Sequence, residues 1–123
     1  MQKTISENFR FIEWQVYKDA KLLYRMVLDL IERMPKVHQY SIGDQLRRSG
    51  LSVVLNIAEG SGKHSDGDLK RFLSISMGSL CEVFATIDVM KDNNIITVEE
   101  FDILSDRIHG IGKQIGGFKK SIK

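Results

Sequence analysis

His64, Asp66 and Asp68 alternate ahead of one helical segment, and Asp102, Asp106 and His109 fall along one face of another. Those residue types are the ones a metal site uses. A third group, Gly60-Ser61-Gly62, has the composition of a loop that cradles phosphate. Each has a plainer account. Asp66 and Asp68 stand where a helix start wants caps and negative charge. Asp102, Asp106 and His109 lie opposite an apolar stripe, and no second helix brings the paired Glu and His that a bundle-core metal site needs. The glycines fall between two helices, where a turn needs permissive residues in any case. Cys81 reads as a small packing residue, not a nucleophile, and no Ser/His/Asp or Cys/His arrangement can be assembled. A hydrolase or nuclease would require Glu59, His64 and Asp66 to converge with further acids. The expectation is therefore a protein that is not an enzyme, with no metal and no cofactor.

The cations are more informative. Eighteen Lys and Arg against sixteen Asp and Glu give a net charge of only +2, too little to diagnose a polyanion partner by itself. Their placement is uneven, since from Arg107 to the end there is no acid at all. Whether Lys3, Arg10, Lys63, Lys70, Arg71, Lys113, Lys119, Lys120 and Lys123 act together depends on the elements that position them.

Those elements are helices. Val16, Ala20, Leu23, Val27, Leu30 and Met34 recur at helical spacing with charges between them, and the only proline, Pro35, must end that helix. A short turn leads to a second helix from Ser41, taken as its cap, to about Glu59, broken by Gly60-Ser61-Gly62. Ser65 with Asp68 opens a third, striped by Leu69, Leu73, Ser76, Leu80, Val83, Ile87 and Met90. After the Asp92-Asn93-Asn94 turn, Thr97 and Glu100 form a capping box ahead of Phe101, Leu104, Ile108, Ile111, Ile115, Phe118 and Ile122. The prediction is all-α: one domain over 1–123, an antiparallel up-down-up-down four-helix bundle with a flexible tail at its first residues. The chain start lacks the apolar core of a signal peptide and there is a single cysteine, so a cytoplasmic location is expected.

In such a bundle the start of the first helix, the turn between the second and third, and the end of the fourth share one pole, which gathers the cations named above. Two other surfaces exceed the needs of a core. Apolar residues cover about two-thirds of the second helix, leaving a stripe of Gln45, Arg48, Ser52, Asn56 and Glu59. That stripe reads either as a wet face or as a polar network against a neighbouring subunit, with Arg48 and Glu59 tying helices or subunits together. On the third helix, Ser74, Gly78, Cys81 and Ala85 form a row of small residues, suited to close packing inside the chain or to another helix approaching from outside.

The run Tyr40-Ser41-Ile42-Gly43-Asp44-Gln45-Leu46-Arg47-Arg48-Ser49, followed by Asn56-Ile57-Ala58-Glu59-Gly60, Arg71-Phe72-Leu73 and Gly78-Ser79-Leu80-Cys81-Glu82, resembles the four-helix bundle family of 23S rRNA intervening-sequence proteins. Trp14-Gln15-Val16-Tyr17-Lys18-Asp19-Ala20 and Met34-Pro35 resemble that family's first helix. The signature maps onto Gln45, Arg47, Arg48, Asn56, Glu59 and Gly60. The resemblance implies a cyclic homopentamer without catalytic activity, related to basic accessory subunits of diversity-generating retroelements that bind nucleic acid and a reverse transcriptase.

The expected function is a homo-oligomeric scaffold that binds structured RNA or a DNA/RNA hybrid through Lys63, Lys70, Arg71, Lys113, Lys119 and Lys120. A protein partner such as a reverse transcriptase would fit the same role. The alternative is a protein-protein interaction module without nucleic acid.

Overall fold

The computed structural model describes residues 7–122. The expected tail and two members of the expected pole, Lys3 and Lys123, lie outside the described residues. A 3-10 segment, Glu7–Glu13, leads into α1 (Gln15–Arg33), the single-turn α2 (Lys36–Gln39), α3 (Ile42–Ser61), α4 (Asp66–Asp92) and α5 (Val98–Ser121). No strand occurs among the described residues.

Local chemistry sets most of the boundaries. Met34 is extended (φ −72°, ψ 150°), as the residue before a proline must be, and α1 ends there. The turn after Pro35 winds into α2, with the Gln39 side chain donating to the Met34 carbonyl at 3.1 Å. Ser41 does not cap α3 as expected: its hydroxyl points back to the His38 carbonyl at 3.4 Å, so α2 claims the group that would have capped its successor. Ser65 does cap α4, accepting from the Asp68 amide at 3.1 Å. Thr97 and Glu100 make the reciprocal capping box of α5. Asn94 takes the left-handed conformation (φ 58°) in the preceding turn, which asparagine tolerates better than most residues.

The four long helices form a square in which α1 packs on α3 and α5, α3 on α4, and α4 on α5. The α3–α4 pair is the most extensive contact. Leu23, Leu46, Ile57, Leu73, Ile87, Met90, Ile111 and Ile115 are fully buried at the centre, each stabilising the fold by roughly 1.5–3 kcal/mol. Ser76, within the α4 stripe, is also fully buried and donates to the Val53 carbonyl at 2.8 Å. By length and composition α4 could cross a membrane, but its Leu69, Leu73, Leu80, Val83 and Ile87 belong to this core.

Antiparallel order places the start of α1, the end of α3, the start of α4 and the end of α5 at one pole. The end of α1, the end of α4 and the start of α5 make the other.

Candidate nucleic-acid interface

The first pole is assembled around a close helix approach. Gly60, expected to break α3, is instead helical and buried within it. A Cβ on Gly60 would lie 2.9 Å from the Phe72 Cβ and 3.2 Å from Leu69 Cδ1, so only glycine lets α4 come this near. The Ser61 hydroxyl donates to the Ala58 carbonyl at 2.7 Å, and α3 ends at Gly62.

Pressed against that glycine, Phe72 offers its ring to two cations: Lys63 Nζ stands 5.0 Å and Arg71 Cζ 4.5 Å from the ring centroid. Across the pole, Arg10 Cζ lies 5.4 Å from the Trp14 ring, and Trp14 meets Phe118 edge-on at 4.8 Å. The last contact binds the end of α5 to the start of α1. Phe118 stands next to Lys119 and Lys120 in the sequence. Trp14 and Phe72 belong there too, brought in by packing between segments far apart in the chain.

Of the six expected phosphate contacts, the fold brings Lys63, Lys70, Arg71, Lys119 and Lys120 to this pole. Lys113 stands about 12 Å back along α5, at 1.5 Å per residue. It forms part of the wall of a groove between α4 and α5, with Met77, Cys81, Phe84, Ile108 and Gly112. The pole's acids are partly matched: Glu59 lies 3.9 Å from Lys63, and Asp68 lies 3.7 Å from Arg71. Lys70, Lys119 and Lys120 make no ion pair among the described residues.

The opposite pole is built differently. Arg33 of α1 pairs with Glu100 of α5, and Lys91 lies 3.4 Å from Asp88 while resting 4.2 Å from the centre of the Phe101 ring. The Thr97 backbone amide, followed by Arg33, holds the Glu100 carboxyl below its ordinary value of 4.5. Glu32, Asp92, Glu99 and Asp102 add exposed negative charge at this end.

The polar stripe of α3 divides between two environments. Gln45 donates to Glu82, Ser52 and Ser79 share a hydrogen bond at 2.7 Å, and Asn56 donates to the Ser52 carbonyl at 2.9 Å. These residues form a polar ladder along the α3–α4 seam. Arg47 pairs with Asp44 one turn away on its own helix. Arg48 is exposed and makes no ion pair among the described residues, and Glu59 reaches Lys63 instead. Within the chain, then, Arg48 and Glu59 do not tie helices together, which leaves the subunit contact as the form of that expectation still open. The α4 partners Ser79 and Glu82 were missed as polar contacts; their signal was a heptad whose core edge carried Ser76 and Ser79.

The row Ser74, Gly78, Cys81 and Ala85 faces outward, and a Cβ on Gly78 would meet nothing within 4 Å. Close packing inside the chain is excluded for it. Exposed apolar side chains lie on the same outer side of α3 and α4: Leu51, Leu55 (52% exposed), Ile75 (41%) and Val89 (53%).

The acids and histidines considered as metal ligands do not converge. His64, Asp66 and Asp68 are exposed around the α4 start. His109 bonds through a ring nitrogen to the Ser105 carbonyl at 2.8 Å and meets Phe84 edge-on. No group of three or more His, Cys, Asp or Glu among the described residues could hold a metal ion.

Fold and surface thus define a helical bundle with one cation-rich end and exposed apolar side chains on the outer face of α3–α4. The chain belongs to the 23S rRNA-intervening sequence protein family, whose model matches residues 13–117. A solved structure from Bacteroides thetaiotaomicron, described as a protein of unknown function from the S23 ribosomal protein family, superposes with a TM-score of 0.80 at 20% identity. The match covers 85% of this chain and 98% of that one, and it shows the fold alone. None of the curated proteins compared with the chain matches it.

Proposed function

We propose that this protein is a non-enzymatic, homo-oligomeric scaffold that binds structured RNA or a DNA/RNA hybrid through its basic pole in the cytoplasm. The observation that carries the reading is the convergence of Lys63, Lys70, Arg71, Lys119 and Lys120 from distant stretches of sequence, with Lys70, Lys119 and Lys120 left without an internal ion pair among the described residues. Charge that serves neither core nor turn is available to phosphate oxygens. The exposed Leu51, Leu55 and Ile75 on the outer side of α3 and α4 offer apolar surface for self-association. A cyclic pentamer would repeat the basic pole around one rim and raise its potential although each subunit is nearly neutral.

Binding to a structured RNA, followed by fluorescence anisotropy across a salt series, tests this. Lys119→Glu with Lys120→Glu should weaken binding at least about tenfold and lower the salt slope by about two, one for each phosphate that is no longer neutralised. Helicity and the mass measured by light scattering should stay the same. Loss of binding together with loss of helicity would assign the lysines to the fold instead.

The second reading, a protein-protein interaction module, is favoured by the apolar groove of about 400 Å3 between α4 and α5. It takes over if the wild type shows no salt-sensitive binding to RNA, DNA or hybrid.

A further inference from the structure

At the basic pole the chain leaves a notch of about 320 Å3 between the 3-10 segment and the turn joining α3 to α4. Arg10, Lys63, His64, Ser65 and Asp66 line it, with Leu69 as its apolar member. Arg10 comes from a segment more than fifty residues earlier in the chain than the rest of the lining. Neither cation is loosely held, since Arg10 rests on Trp14 and Lys63 on Phe72. A cation held over a ring keeps the N–H groups that do not face the ring free to donate.

The backbone adds donors. Lys63 donates its amide to the Gly60 carbonyl at 3.1 Å, but the amides of His64 and Ser65 have no backbone acceptor among the described residues. The Ser65 oxygen accepts from Asp68, which leaves its hydroxyl proton free to donate. The notch is therefore lined by donors of two charge-bearing kinds and by residues with unpaired amides; Asp66 is the one carboxylate on its lining, and Glu59, outside it, lies 3.9 Å from Lys63.

We infer that this notch is a binding site for a single terminal phosphomonoester. The inference rests on the nucleic-acid reading for its biological source, but its chemistry is independent of it. A terminal phosphate presents three unesterified oxygens and up to two negative charges to donors arriving from different sides. An internal phosphodiester presents two oxygens and carries a sugar on each flank, which fits an open surface better than a notch. The lysines at the α5 end serve the internal phosphates, and Arg10 with Lys63 reads the end of the strand.

Two measurements on the full chain separate this inference from the wider one. The first titrates 15N-labelled protein with inorganic phosphate and follows backbone amides by NMR. The His64 and Ser65 amides should shift in a saturable way, and Arg10→Gln or Lys63→Gln, with unchanged circular dichroism, should abolish the saturation. The second compares one short RNA carrying a 5′-phosphate or a 5′-hydroxyl. The phosphorylated form should bind at least about tenfold more tightly, the worth of one charge-assisted hydrogen bond. Arg10→Gln should erase that preference, while Lys119→Glu with Lys120→Glu should weaken both RNAs alike. Equal affinity for the two RNAs together with unmoved amides overturns the terminal-phosphate site and leaves salt-sensitive RNA binding standing. Saturable amide shifts with inorganic phosphate but no binding of either RNA keep the site, assign its phosphate to a small molecule, and end the nucleic-acid reading.

Discussion

The two ends of the bundle carry charge for different purposes. Where α1 and α4 end and α5 begins, part of the charge is built into the structure: Glu100 closes the capping box, meets Arg33 across helices, and is held ionised below its usual range. Where α1 and α4 begin, structure comes from packing instead. Gly60 admits Phe72, Trp14 meets Phe118, and the cations lie over the rings or project beyond them. A charged cluster is thus a candidate for binding when the local fold holds without it, and an architectural device when the local fold depends on it.

Substitutions can break that comparison from either side. The largest effect on stability is expected from Gly60→Ala. The new methyl would meet Phe72 Cβ, which cannot move without its backbone, and overpacking of this kind costs about 1–3 kcal/mol. Chemical denaturation should show the loss equally at low and high salt; a neutral result would mean that the basic end is not held by packing. Thr97→Ala should cost about 1 kcal/mol through the lost cap of α5.

Glu100→Gln sharpens the point through pH. The folded carboxyl of Glu100 is depressed, so its stabilisation is complete above its unfolded value of 4.5 and is lost as pH falls through the lower folded value. Gln keeps a capping side chain without the titration, so melting temperature should fall less steeply on acidification than in the wild type. An identical acid limb would remove Glu100 from the account. The smallest effect is expected from Arg48→Ala, within about 0.5 kcal/mol for the single chain, since Arg48 is exposed and unpaired among the described residues. A change in mass by light scattering would place it in a subunit contact.

Sequence reasoning succeeded where the deciding interactions are local. Pro35, the Ser65 cap and the Thr97–Glu100 box each act within three or four residues, and the apolar stripes follow from helical periodicity. It failed where the partner is remote or competing. Ser41 looked like a cap until α2 supplied the His38 carbonyl. Gly60 looked like a helix breaker because its requirement is set by Phe72, twelve residues away on another helix. The small row on α4 was visible, but which way it faces depends on how the helices are ordered around the core. The basic pole followed from antiparallel topology, although Lys113 sits apart from it. Its aromatic floor did not, because Arg10 lies four residues before Trp14 in a segment without a readable helical stripe, and Lys63 meets Phe72 across the turn between α3 and α4.

Under the proposed function, position and not net charge makes the basic pole the contact for nucleic acid. The direct test compares two variants with the same change in formal charge. Lys119→Glu with Lys120→Glu alters the pole, and Arg25→Glu with Lys36→Glu alters the flank of α1 and the opposite end. Both are measured by equilibrium RNA binding across a salt series beside the wild type. The wild-type affinity should fall linearly with salt on logarithmic axes, the first variant should show a shallower slope and at least about tenfold weaker binding, and the second should behave like the wild type. Equal losses in the two variants, or no salt-sensitive binding in the wild type, would contradict the proposed function.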